Sequence, residues 1–329
     1  MLRHALATFA LCWSTQLSAA CGGESYLARL TPAEQDTISD VIADIPYADG
    51  LVWDLTRGDS TITLVGTMHI YDPRLTAIFD SVAPSLQDAG VLLVEATQAE
   101  MNAMQEAFAD DPSLYLITDG PTLPDLLPPD VWQKVQDAAA ARGMPGFMVA
   151  QMQPWYLALT LGIPACAMAD IAAGKQGLDH MLTTAAAEAG VPAAPLEDWS
   201  TLIDVLTDGT LEEQVTMMEM GLIGTEDQQS LFVAMLDAYF SEQIAAVWEI
   251  NMIAARDLSD VSADEAAQQM DHAQEVLLNN RNRNWVPVIE EAASAHESVF
   301  VAVGAAHLPG EVGLLTLLTE KGWTAERRQ

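Results

Sequence analysis

The chain has 329 residues, half of them hydrophobic, which is enough for a sizeable folded core. Its formal net charge at pH 7 is −34, a field that repels nucleic acid and anionic lipid, so we predict no nucleic-acid partner. Beyond the amino-terminal segment no stretch is long and apolar enough to predict a transmembrane helix in the mature chain.

The first 20 residues are typical of a signal peptide. A short basic start precedes an apolar run over residues 5–13, and small residues then lead to Cys21. We expect cleavage after Ala20 and a periplasmic or secreted protein. Lipid anchoring through Cys21 is the alternative, although Ser18 stands where a lipobox usually has leucine.

The cysteine count suggests one disulfide. Cys12 would leave with the signal peptide, so the mature chain keeps Cys21 and Cys166. An even pair in an oxidising compartment predicts a bond between the two. Lipidation of Cys21 would exclude that bond, so these two predictions compete.

The next elements predict a sheet flanked by helices. Thr31 and Glu34 form a capping box at the start of a helix over residues 31–43. Arg57-Gly-Asp-Ser60 is a turn sequence between two strands, which predicts a hairpin rather than a cell-adhesion motif. A helix over residues 77–88 and a continuous apolar strand over residues 91–94 follow.

From residue 97 to about 295 the apolar spacing is mainly helical, with one short strand near residues 193–196. The last predicted elements are a buried strand over residues 299–303 and a helix over residues 311–321. The pattern predicts one α/β domain over residues 21–329. Its small mixed or parallel sheet is formed from the N- and C-terminal segments and carries a large helical insertion.

Two histidine blocks echo each other near opposite ends of the chain. Gly66-Thr-Met-His69 and Gly304-Ala-Ala-His307 each follow a predicted strand. Ligands of open α/β sheets bind beyond the carboxyl ends of the strands, and glycine lets the backbone turn sharply there. We therefore expect both imidazoles in one crevice. His180, in a third such block, follows no strand and is expected on a helix face.

A carboxylate completes the predicted site. Glu95 directly follows four buried apolar residues, a placement that is costly unless the charge is paired or bound to a metal. Two imidazoles and one carboxylate form a usual ligand set for Mn, Co or Zn. We thus predict His69, Glu95 and His307 as metal ligands, with Glu95 either a ligand or a general base. Structural roles for each residue remain the alternative.

Arg281 and Asn282 stand in a polar segment before the last strand. Arg281 could hold a substrate carboxylate or stabilise an oxyanion, and we predict Asn282 as a substrate contact. The helix that carries them leads to the opposite end of the sheet, unless its first turns overhang the crevice. Motifs of serine hydrolases, nucleotide-binding loops and H-E-x-x-H zinc peptidases are missing from the sequence.

These residues together resemble the TraB/GumN family over residues 50–329. The blocks that carry the resemblance are, in chain order, Gly66-Thr-Met-His69, Glu95, Gly177-Leu-Asp179, Leu196-Glu197, Arg281-Asn282 with Trp285, and Val303-Gly-Ala-Ala-His307-Leu-Pro-Gly310. The family is similar to the Tiki proteins, metal-dependent proteases of Wnt ligands, and more distantly to erythromycin-esterase-like and haem-uptake-like folds.

The resemblance implies a metal-dependent hydrolase. His69 and His307 would be metal ligands, Glu95 a ligand or base, and Arg281 a substrate or transition-state contact. The first hypothesis is therefore an exported, peptidase-like hydrolase of a peptide or small-molecule substrate. A non-catalytic protein that binds metal, haem or peptide in the same crevice is the second, and a purely structural helical scaffold is the third.

Overall fold

The computed structural model describes residues 21–207 and 209–328. The predicted signal peptide, residues 1–20, lies outside these ranges. The described chain forms a six-stranded mixed sheet with helices on both faces, which confirms the predicted fold class.

The strands come from both ends of the chain. The sheet order is β4-β3-β5-β2-β1-β6. The first four strands in this order run parallel, whereas β1 is antiparallel to both of its neighbours. The bounds are β1 Val52–Arg57, β2 Ser60–Thr67, β3 Val91–Val94, β4 Ala193–Pro195, β5 Ser298–Gly304 and β6 Thr324–Arg327. The edge strand β6 was not predicted.

Most of the chain is helical. The span that was predicted as an insertion holds helices α3 to α15, with the short strand β4 among them. The bounds are α1 Pro32–Ala43, α2 Leu75–Gln87, α3 Gln98–Asp110, α4 Leu123–Leu126, α5 Pro129–Ala140, α6 Gly146–Val149, α7 Pro154–Gly162, α8 Met168–Ala172, α9 Leu178–Ala189, α10 Trp199–Leu206, α11 Leu211–Met220, α12 Thr225–Phe240, α13 Ile244–Leu258, α14 Ala263–Gln274, α15 Asn280–Ala295 and α16 Leu314–Glu320.

The predicted turn and strand register are present. Arg57 faces Ser60 across the β1–β2 hairpin, and Gly58 supplies the left-handed conformation there with φ 63°. At the other end of β2, Thr67 lies beside Gly304 of β5, while Val94 of β3 lies beside Ala302. This register brings the carboxyl ends of β2, β3 and β5 to the same edge of the sheet.

Apolar side chains of the sheet are buried on both faces. On one face, Val301 and Val303 pack with α15 and α16, where Trp285 is fully buried. On the other face, Phe300 and Leu92 pack with α2 and α9. Burial of strands on both faces explains their continuous apolar sequences. Polar residues follow these apolar strands at their carboxyl ends.

Cys21 and Cys166 form a disulfide in the structure, with Cα atoms 5.2 Å apart. This is the pairing that the cysteine count predicted; lipid anchoring through Cys21, which would exclude the bond, stays the alternative prediction. Among the described residues no single helix has the length and hydropathy to cross a membrane; one bent pair, residues 154–162 with 165–172, meets those criteria jointly.

Candidate functional site

A crevice of about 290 Å³ opens at the carboxyl-end edge of the sheet. A polar residue follows each of the four parallel strands there: His69 after β2, Glu95 after β3, Glu197 after β4 and His307 after β5. The first three line the crevice, together with Arg281 of α15. The residues predicted to form one site therefore lie at the carboxyl ends of the strands, as expected.

His307 lies behind the crevice and is only 3 % exposed. Its Nδ1 is 2.7 Å from Asn282 Oδ1, and Asn282 Nδ2 donates to Val312 O at 2.9 Å. Because the amide nitrogen is used elsewhere, the amide oxygen faces the ring, so Nδ1 carries the proton and Nε2 a lone pair. Burial, helped by the nearby Arg281 charge, lowers the pKa of His307 to about 4, so the ring is neutral at pH 7.

Glu95 is held by two donors. Gly304 N–H donates to Oε1 at 2.7 Å and Arg281 Nη2 donates to Oε2 at 2.7 Å. Burial alone would raise the pKa of Glu95, but the positive charges around it and the Gly304 amide lower it to about 2. His307 contributes to this only in its charged form, which its own burial disfavours. At neutral pH the pKa of Glu95 is therefore lowered by Arg281, the charged His69 and the amide.

Arg281 links two carboxylates. Its Nε donates to Glu197 Oε1 at 2.9 Å while Nη2 reaches Glu95, and its guanidinium lies 4.6 Å from the centre of the Trp285 ring. Trp285 Nε1 donates to the second oxygen of Glu197 at 3.0 Å. A π-helical turn, Glu275–Asn279, precedes α15, whose first turn overhangs the crevice. The first turn of this helix therefore brings Arg281 over the crevice, which the sequence alone had left open.

His69 has a different setting. Its side chain is 65 % exposed, and its Nδ1 lies 3.2 Å from Asp179 Oδ2. The hydrogen bond to Asp179 raises the pKa of His69 to about 9, against the opposing effect of desolvation. Asp179 reaches this position because α9 starts against the end of β2. Leu178 N–H donates to Met68 O at 2.9 Å, and a Cβ on Gly177 would lie 2.2 Å from that oxygen.

A comparison with family models identifies the family of the chain. The TraB/PrgY/gumN family model matches residues 51–327. The chain belongs to the TraB/PrgY/gumN family. This match confirms the family resemblance that was predicted from the sequence. No curated protein and no solved structure matches the chain.

In this TraB/PrgY/gumN protein the three predicted metal ligands are not gathered as a shell. Within residues 21–207 and 209–328, no group of three or more His, Cys, Asp or Glu side chains is arranged to hold a metal ion. Arg281 Nη1 lies 3.5 Å from His307 Nε2, so the guanidinium supplies the positive charge beside Glu95. The predicted metal site therefore stays a prediction.

The chemistry of the donors nevertheless fits a divalent cation. An acceptor, Asp179 or Asn282, holds Nδ1 of each imidazole, as in most metal-binding histidines, so Nε2 is the nitrogen that could bind a metal. His307 Nε2 lies 4.0 Å from Glu95 Oε1. Two ligands each about 2.1 Å from a tetrahedral cation lie about 3.4 Å apart, so the two atoms would have to move closer to each other on binding.

Two residues of this TraB/PrgY/gumN site were given no role from the sequence. Asp179 orients His69, and Glu197 pairs with Arg281. Glu197 follows a short strand just as Glu95 does, and that shared pattern could have identified it. Asn282 is 2 % exposed and its side chain contacts His307 and Val312, so its predicted contact with substrate stays a prediction.

Proposed function

We propose that this TraB/PrgY/gumN protein is an exported hydrolase that acts on a peptide or small-molecule substrate in the crevice. The observation that carries the proposal is that an acceptor holds Nδ1 of both imidazoles, beside an ionised carboxylate. Nε2 is then the nitrogen that would bind a cation, which on His69 would replace a proton. Perturbed pKa values concentrated in one concave site support a catalytic role. The predicted signal peptide and the Cys21–Cys166 bond support export.

We assign His69, Glu95 and His307 to hold a divalent cation, Mn, Co or Zn. When bound, such a cation supplies a Lewis acid that polarises a carbonyl group and lowers the pKa of water. Glu95 acts as a ligand rather than as the base, because a carboxyl with a pKa of about 2 takes up protons poorly at neutral pH.

The remaining residues of the site orient these groups. Asp179 and Asn282 fix the two rings, and Glu197 compensates the charge of Arg281 when Glu95 binds a cation. Nη1 of Arg281 lies beside His307, so the guanidinium is placed to stabilise negative charge that develops on a substrate bound there. The carboxylates that already bind Arg281 make it a poor receptor for a substrate carboxylate.

Metal binding by the purified mature protein tests the first part. After EDTA treatment and dialysis, calorimetry with Mn²⁺, Co²⁺ and Zn²⁺ should show one saturable site in the wild type. His69→Ala should weaken binding by about a hundredfold, because one of three protein ligands is lost. His296→Ala is the matched control, since His296 precedes β5 at the opposite edge of the sheet.

Cleavage of a quenched fluorescent peptide library by the metal-loaded protein tests the second part. Glu95→Gln should abolish metal-dependent cleavage while His296→Ala retains it. Metal binding without any cleavage would favour the non-catalytic binding protein, for which the closed Glu95–Arg281 pair is a supporting observation. Equal metal affinity in wild type and His69→Ala would contradict the metal site.

A further inference from the structure

The crevice has an apolar side wall that the proposed chemistry does not use. It is formed by two neighbouring helices, α3 and α10, which contribute Met101 and Met104, and Trp199 and Leu202. Met101 is among the large apolar side chains exposed to solvent. Methionine and tryptophan accommodate long aliphatic chains and cationic groups well. The wall therefore has the character of a side-chain subsite.

Negative charge dominates the same crevice. Five carboxylates line it, Glu95, Glu100, Asp179, Glu197 and Asp198, against one arginine and the protonated His69, which gives a formal charge of −3. That arginine already pairs with two of the five. Because the whole chain carries −34, long-range attraction also favours positively charged ligands.

Two buried polar atoms on the crevice lining lack a partner. Thr67 is only 3 % exposed, and its Oγ1 makes no hydrogen bond to the described residues; the same holds for Asp179 Oδ1. Leaving such atoms unpaired is costly, so they indicate a ligand that donates hydrogen bonds. An ammonium or guanidinium group has several donors and no acceptor, which matches a carboxylate oxygen.

Two of the five carboxylates lie at the amino-terminal ends of the two wall helices, Glu100 in the first turn of α3 and Asp198 at the N-cap of α10. Glu100 accepts from Thr97 through Oε2, and Asp198 accepts from Ser200 through Oδ1. The other oxygen of each makes no hydrogen bond to the part of the chain that the structure describes. Each helix therefore presents an apolar surface together with a carboxylate that has a free acceptor.

We propose that the crevice selects basic peptides, with the aliphatic stem of a lysine or arginine side chain along the wall of α3 and α10. The cationic end of that side chain pairs with Glu100 and Asp198, and a second donor of the peptide reaches Thr67 and Asp179. This inference names the substrate class of the proposed hydrolase and rests on the crevice being its substrate site.

Three acetylated and amidated pentapeptides test the selection. They share the sequence Ala-Leu-X-Leu-Ala, with lysine, norleucine or glutamate at X. Each is titrated into EDTA-treated protein, so that it is not cleaved during the measurement. By calorimetry the lysine peptide should have a dissociation constant at least about tenfold lower than that of the norleucine peptide, since only the lysine side chain makes charge-assisted hydrogen bonds. The glutamate peptide should be the weakest.

Two double variants separate the subsite from the general charge of the protein. Glu100→Gln with Asp198→Asn should remove most of the lysine preference. Glu106→Gln with Asp204→Asn removes the same charge from exposed positions of the same two helices outside the crevice, and should keep the preference. Thr67→Val should weaken binding of the lysine peptide about threefold or more while the fold persists.

The result that overturns the inference is equal binding of the three peptides, an absence of binding by all of them, or an equal loss in both double variants. Binding and cleavage are measured separately. A lysine preference without cleavage would leave the inference standing and contradict the hydrolase. Cleavage without a lysine preference would do the reverse.

Discussion

The two histidines that the sequence presents as equivalents lie in opposite surroundings. His307 belongs to a buried network with Glu95, Glu197, Arg281 and Asn282, which we call the His307 network. His69 belongs to a solvent-exposed pair with Asp179, the His69–Asp179 pair. The same sequence block, a strand followed by Gly-x-x-His, therefore leads to a neutral ring in one place and a charged ring in the other.

The difference arises from what each ring contacts. His307 is buried against the ring of Trp285, 4.3 Å away, and faces a guanidinium; burial and the guanidinium both disfavour a positive charge on its ring. His69 faces a carboxylate and open solvent. A strand-end motif thus specifies where an imidazole lies, while the helices that cover it specify its protonation state.

The largest effect is expected from breaking the His307 network. Arg281→Leu would leave Glu95 and Glu197 buried without their cation, which should lower the free energy of unfolding by about 3–5 kcal/mol. Arg283→Leu is the control, because Arg283 lies on the same helix with its side chain 48 % exposed, and should change it by less than about 1 kcal/mol. Urea unfolding measures the loss of unfolding free energy in each variant. Losses of similar size would contradict a stabilising role for the His307 network.

Much of the fold could be predicted because its signals are local. Continuous apolar strands, the turn at Gly58 and the capping box at Thr31 are present where expected. The edge strand β6, Thr324–Arg327, was missed because it is mostly exposed and has no apolar alternation. Helix α16 begins at Leu314 rather than near residue 311, because Gly313 has an extended conformation and forms its N-cap.

The site was predictable only in part. Residues at strand ends, His69, Glu95 and His307, could be assigned to one rim because parallel strands end at the same edge. Asp179 could not, since it depends on the close approach of α9 to Met68 at Gly177, which is a tertiary contact. The Arg281 overhang likewise depends on how α15 packs over the sheet.

An intermediate effect should separate the two imidazoles directly. His307→Ala removes a buried ring and leaves Asn282 Oδ1 without its donor, so we expect a loss of about 2–4 kcal/mol in unfolding free energy. His69→Ala should cost less than about 1 kcal/mol, because its ion pair is exposed to solvent. Thermal and urea unfolding of the two variants give this comparison, and losses of equal size would remove the distinction drawn between them.

The smallest effect concerns protonation. Titration of His69 by NMR in metal-free protein should give a pKa of about 9, and Asp179→Asn should move it towards 6.5 by removing the charged acceptor. Since the folded pKa lies above the unfolded one, the pair stabilises the fold fully below pH 6.5 and loses this contribution as the pH rises through 9.

His307 should behave in the opposite way. Its folded pKa of about 4 lies below the unfolded value of 6.5, so stability should fall as the pH drops from 6.5 towards 4. In the NMR titration its ring should stay neutral throughout the range in which His69 changes charge. A common pKa near 6.5 for both rings would mean that neither Asp179 nor burial sets the charge state, and the two blocks would then be equivalent in structure as well as in sequence.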